Sequence, residues 1–245
     1  MFDFENNKRN LYVIIGIIVL LAIGKYWNNT GELLNLLLTL PAVLIAITFH
    51  EFAHAFAADK LGDDTPRRQG RLTLNPFAHL DPVGSLLLIF AGFGWGKPVE
   101  INPRNFNRDK SMTASEAIVA IAGPAMNLIL AVLFTFIYFA IVKIAPAFCI
   151  TQVGLVILTL IQMTIIINIG LGVFNLIPLP PLDGSKVLKL FLPVNVRDWF
   201  ERNFRIFYII FVVLWITDIA SIIISPVINA VYKGIVTSIA HLFGM

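Results

Sequence analysis

Residues 33–58 read LLNLLLTLPAVLIAITFHEFAHAFAA. The stretch is apolar nearly throughout and long enough for a helix to cross roughly 30 Å of hydrocarbon, which takes about 20 residues. Yet its last third carries His50, Glu51 and His54. Ionisable groups on a membrane helix cost free energy unless something compensates them. The stretch therefore reads as a spanning helix that holds a site near one end.

Composition extends that reading to the whole chain. Of 245 residues, 58% are hydrophobic and 13% charged, with a mean hydropathy of +0.82. A soluble domain carries about 45–50% apolar and about 25% charged residues. There is too little polar surface to coat a water-soluble globule, which excludes a soluble enzyme, a nucleic-acid binder and a disordered chain. The net charge of +3 fits basic loops facing anionic lipid. With Cys149 as its single cysteine, the chain has no intrachain disulfide and no Cys-rich metal site.

Four further stretches qualify as spans: 11–27, 114–144, 153–177 and the long apolar region 206–240. The last is either one tilted span with a tail helix or two short spans broken near Ser225-Pro226. The segment 83–95 is apolar but short and contains Gly84, Gly92 and Gly94, so it reads as re-entrant. Lys97-Pro98-Val99-Glu100-Ile101 after it reads as extended. The expected fold is an all-α membrane protein: a polytopic bundle of five or six spans, with a small re-entrant or β segment between the second and third. It forms one membrane-embedded domain over 1–245, with a core at about 33–190, a peripheral span 11–27 and a C-terminal span and tail 206–245.

Lys and Arg orient the bundle. With the amino terminus and the 59–113 and 184–205 loops on one side, only Lys25, Lys143 and Lys233 of the 18 basic residues fall on the other. The positive-inside bias places the amino terminus and the mouth of the site in the cytoplasm. Lys8 and Arg9 precede the first apolar run, but Gly24-Lys25-Tyr26-Trp27 is no small-residue cleavage site, so that run reads as an uncleaved anchor.

His50-Glu51-Phe52-Ala53-His54 is an H-E-x-x-H pattern. Residues four apart on a helix share a face, so both imidazoles can hold one metal, with Glu51 beside it to take a proton from water. A catalytic zinc site needs three protein ligands. The residues following His54 supply no third: Ala57 and Lys60 stand where a Gly and a His would continue the pattern. The candidate is Asp183, in the run Asn175-Leu176-Ile177-Pro178-Leu179-Pro180-Pro181-Leu182-Asp183-Gly184. Its prolines end the helix and free Asp183 to turn inward, and Asn175 offers an amide. A plain Asp-Gly turn is the alternative; a two-His site lacking a ligand favours coordination.

These residues resemble the site-2 protease family of intramembrane zinc metalloproteases. H-E-x-x-H at 50–54 and N-x-x-P-x-x-x-x-D-G at 175–184 match its motifs, and Gly123-Pro124-Ala125-Met126-Asn127 looks like its G-P-x-x-N element. The resemblance covers about 33–190. It implies a three-span core, Zn2+ held by His50, His54 and Asp183, Glu51 as general base, and Asn175 beside the metal steadying the oxyanion. It further implies substrates that are membrane spans of other proteins, cut in or near the bilayer of a bacterial or archaeal cell, with no nucleic-acid partner. Many members carry a PDZ or CBS domain; this chain looks like a minimal form.

A substrate helix must unwind to be cut, and the 84–101 segment is placed to pair with it as an edge strand, an expectation that Pro at Val99 tests. His79 is open between a fourth ligand, a gate, a substrate contact and a loop histidine bonded to backbone. Asp218, Glu116 and Lys143 read as span-end groups, Asn127 as a cavity or helix-pairing residue, and Tyr26, Trp27 and Trp199 as interface anchors. Two other functions compete: an inactive scaffold that binds membrane segments, disfavoured by the intact Glu51, and a metal transporter, disfavoured because the ligands gather at one end of the bundle.

Overall fold

The computed structural model describes residues 24, 30–81, 84, 96–217 and 219–245. The expected span 11–27 and re-entrant segment 83–95 lie outside the described residues, apart from Gly24 and Gly84, as does Asp218. In chain order the helices are α1 (Thr30–Lys60), α2 (Thr65–Arg68), α3 (Met112–Ile144), α4 (Pro146–Cys149) and α5 (Gln152–Asn175). They continue with α6 (Asp183–Lys189), α7 (Val194–Arg202), α8 (Phe204–Ile216) and α9 (Ile219–Leu242).

The long helices start and stop where local chemistry dictates. Ser111 caps α3 by accepting from Ala114 N, and Thr151 caps α5 by accepting from Gly154 N. α5 has no charged residue and ends at Asn175, three residues before Pro178, which cannot continue it. α1 closes with Gly62 at φ 103 while Asp63 N donates to Ala58 O, the left-handed stop that glycine permits.

Among the described residues, four helices are long and apolar enough to cross a bilayer: α1 from Leu34 on, α3, α5 and α9. The first three pack against one another. In lipid, helices associate through close packing of small residues rather than hydrophobic burial. Ala42, Ala46 and Ala53 of α1, Ala120, Gly123 and Ala131 of α3 and Gly172 of α5 are all buried. α9 flanks this core, setting Ile228, Val231 and Ile235 against Ala131, Ile161, Ile165 and Ile169. Ile129, Phe136, Ile166 and Ile222 point outward, as lipid-facing side chains do.

The last apolar region does not break at Ser225-Pro226. Pro226 lies inside α9, and the interruption comes earlier, where Thr217 folds its hydroxyl onto Val213 O and closes the short apolar α8. Proline is tolerated inside membrane helices, where neighbouring groups re-satisfy the freed carbonyl. The extended reading of 97–101 also needs correcting: among the described residues no strand forms. One antiparallel bridge joins Leu80 to Gly96, and Lys97 N donates to His79 O at 2.8 Å. The chain thus returns at residue 96 to the place it left at residue 80.

The two loops richest in Lys and Arg meet at one end of the bundle, where α1 ends, α3 begins and α5 ends. Asp63 ties the first together. It accepts from Thr65 N and Oγ1, from Asn102 N at 2.6 Å and from Asn105 Nδ2 at 2.9 Å. Burial pushes its carboxyl up, but these donors hold it below the ordinary carboxylate range. Arg67 clasps Asp59 with two hydrogen bonds and so fixes α2 to the last turn of α1.

Candidate metal centre

His50 and His54 lie on consecutive turns of α1, both nearly buried, facing α3. Asp183 arrives from the far end of α5. The proline-rich turn 176–182 doubles back so tightly that a Cβ on Gly184 would lie 2.3 Å from Leu176 O, which only glycine avoids. That turn starts α6 with Asp183 as its first residue, and α6 packs on α3.

Three ligand atoms converge there. His54 Nε2 lies 3.0 Å from His50 Nε2 and 3.1 Å from Asp183 Oδ2, and His50 Nε2 lies 3.2 Å from Asp183 Oδ2. A tetrahedral metal with ligands at about 2.0–2.1 Å spaces them about 3.3 Å apart. Among the described residues, these three form the group of His, Cys, Asp and Glu able to hold a metal ion.

The hydrogen bonds behind the imidazoles fix what the three atoms are. His54 Nδ1 sits 2.7 Å from Val119 O, a carbonyl that can only accept, so Nδ1 carries the proton. Asn127 Nδ2 donates to Ala46 O and to Asn168 Oδ1, which turns Asn127 Oδ1 toward His50 Nδ1 at 2.6 Å. His50 Nδ1 therefore carries its proton too. In the neutral rings both Nε2 atoms present lone pairs to an Asp183 oxygen. Three acceptors within 3.2 Å repel one another unless a cation lies between them. The donor set fits a metal.

Asn127 is more than a helix-pairing residue. It and Asn168 are fully buried, and Asn168 Nδ2 continues the chain to Thr164 O, so α1, α3 and α5 are linked behind the ligands. Asn127→Ala is expected to weaken metal binding by about 10- to 100-fold, the usual effect of removing the partner behind a metal-bound histidine. Competition against a chromogenic chelator measures it. The sequence reading missed Asn168, although an Asn in the middle of the apolar run of α5 was a signal.

Gly123 backs the site. A Cβ there would lie 2.4 Å from His54 Nε2 and 2.7 Å from His50 Cε1. Glu51, next to His50, accepts from Val99 N at 2.8 Å through Oε2. That amide is therefore engaged, and not open to an incoming strand as expected. Asn175 donates Nδ2 to Leu171 O at 3.1 Å, folding back on its own helix. His79 is buried with Nε2 on Thr73 O at 2.8 Å, the loop histidine among its alternatives.

A family model described as peptidase family M50 matches residues 138–217. The chain is 38% identical over 204 residues to the candidate zinc metalloprotease YwhC of Bacillus subtilis (strain 168), spanning 82% of the chain and 90% of that protein. It is 35% identical over 185 residues to the candidate zinc metalloprotease Rip2 of Mycolicibacterium smegmatis, spanning 74% of the chain and 67% of the relative. Rip2 of Mycobacterium tuberculosis (strain H37Rv) is 28% identical over 210 residues, 82% of the chain and 72% of that protein. No solved structure matches the chain.

Proposed function

The chain belongs to peptidase family M50, the site-2 protease family, and on that premise we propose that it is an intramembrane zinc metalloendopeptidase, hydrolysing peptide bonds in or near the membrane spans of other proteins. The observation that carries the reading is the convergence of His50 Nε2, His54 Nε2 and Asp183 Oδ2 beside Glu51, at one end of three packed, span-length helices. A scaffold that only gripped a membrane segment would need neither a fixed tautomer on both histidines nor a carboxylate next to them.

Zinc, when held by His50, His54 and Asp183, supplies a Lewis acid that acidifies water to a pKa of about 7 and polarises a carbonyl. The rest of the chemistry falls to the chain. Asn127 and the Val119 carbonyl hold the two imidazoles in the ligating tautomer. Glu51 accepts a proton from the attacking water and returns it to the leaving amine. Asn175, with one amide hydrogen on Leu171 O, keeps a second to offer the tetrahedral oxyanion. The site lies near the end of α1, among the loops that carry most of the Lys and Arg, which supports a cytoplasmic mouth and a short path for water.

The test is metal dependence on a defined substrate. The purified protein is reconstituted with a panel of single-span fusion proteins whose spans are interrupted by Gly or Pro, then stripped with a chelator and reloaded. Cleavage within or near a span should stop on stripping and return with one equivalent of Zn2+. Cleavage that persists in fully stripped protein overturns the reading.

A further inference from the structure

Glu51 is held by a main-chain amide, and that amide is itself held in place. Val99 belongs to the run 97–102, which has no regular secondary structure. Two carbonyls of the run, those of Lys97 and Pro98, accept from Nη2 of Arg71 (Pro98 O at 3.1 Å). Arg71 is 5% exposed. A buried guanidinium is expensive to desolvate, and this one turns toward two main-chain dipoles directly preceding the Val99 N–H.

The position of Arg71 is equally determined. Arg71 N donates to Pro66 O across Gly70, which has φ 67, so the residue follows at once from the stop of α2. The Arg67–Asp59 pair fixes α2 to α1. A closed circuit results: from the last turn of α1 through α2 to Arg71, from Arg71 to the 97–98 carbonyls, and from Val99 N–H back to Glu51 on α1. Lys97 N on His79 O and Gln69 Nε2 on Glu100 Oε2 brace the same run on either side.

We propose that Arg71 is a positioning residue for the Glu51 carboxylate, acting through the main-chain amide of Val99. The inference rests on the reading of Glu51 as general base. A glutamate on a helix has three rotatable side-chain bonds and no intrinsic reason to point at the reacting water. With Oε2 on the Val99 amide, Oε1 is left to receive the proton in a fixed direction. Displacement of a reacting group by about 1 Å costs on the order of 100-fold in rate. Losing the circuit should therefore appear in kcat and leave KM alone.

The experiment compares Arg71→Met, Arg71→Lys, Val99→Pro and the Arg71→Met/Val99→Pro double variant with the parent and with Glu51→Gln. The substrate is the best single-span fusion from the panel, and metal content and melting temperature are recorded for each. Methionine keeps the length of Arg71 without its donors; proline at 99 removes one N–H and leaves Arg71 in place. Expected are a roughly 10- to 100-fold fall in kcat for Arg71→Met and Val99→Pro, unchanged KM and metal content, partial recovery with Arg71→Lys, and a double variant no worse than either single one. If Arg71→Met does not fold, Val99→Pro and Arg71→Lys decide. Unchanged kcat in Val99→Pro, or a rise in KM in place of a fall in kcat, overturns the proposal while an inactive Glu51→Gln still upholds the base. Cleavage by Glu51→Gln at the parent's rate overturns the underlying reading instead.

Discussion

Glu51→Gln is expected to slow cleavage by about 10²- to 10⁴-fold, the usual contribution of a positioned general base, while leaving metal content at the parent's level. The substitution is nearly isosteric, and the amide oxygen of glutamine still accepts from Val99 N–H, which Oε2 of Glu51 does at 2.8 Å. His50, His54 and Asp183 keep their contacts with Asn127, Val119 and one another, so nothing that holds the metal is touched. The variant separates proton transfer from metal binding. Metal analysis together with single-turnover cleavage of a span-containing substrate measures both. Full metal with parental turnover would remove Glu51 from the mechanism; lost metal would make it part of the ligand cage.

Much of this was legible in the chain because it is local. The H-E-x-x-H spacing puts two imidazoles on one face through helical geometry alone, and the prolines of 176–182 announce the turn that delivers Asp183. The long spans follow from apolar runs and caps. What the sequence did not disclose depends on how helices cross. The Asn127–Asn168 link needs α3 and α5 in contact at one height, and side-chain periodicity carries no such register. The hold on Glu51 runs through main-chain atoms, Val99 N–H and the Lys97 and Pro98 carbonyls, which every residue type possesses. Pro226 misled for the opposite reason: it is a strong local signal that a membrane helix absorbs.

Gly123→Ala should abolish metal binding without weakening α3. Alanine is favoured over glycine in a helix interior by about 1 kcal/mol, so helix stability predicts a neutral or stabilising change. The obstacle is the space beyond the backbone. The added methyl would lie 2.4 Å from His54 Nε2 and 2.7 Å from Cε1 of both imidazoles, and each ring is tied from behind. His54 cannot retreat without leaving Val119 O, nor His50 without leaving Asn127, whose amide is already committed to Ala46 and Asn168. The methyl sits at the very nitrogen that must ligate, so the rings move and the 3.0–3.2 Å triangle opens. Metal content should fall below about a tenth of the parent's and cleavage with it, a loss beyond the 10- to 100-fold of a missing hydrogen-bond partner. The stripped variant should melt below the stripped parent, because the displaced rings leave buried hydrogen bonds to Val119 O and Asn127 Oδ1 unmade. A Gly123→Ala protein that carries one equivalent of metal and cleaves normally would show that the ligand triangle does not stand where His50, His54 and Asp183 converge.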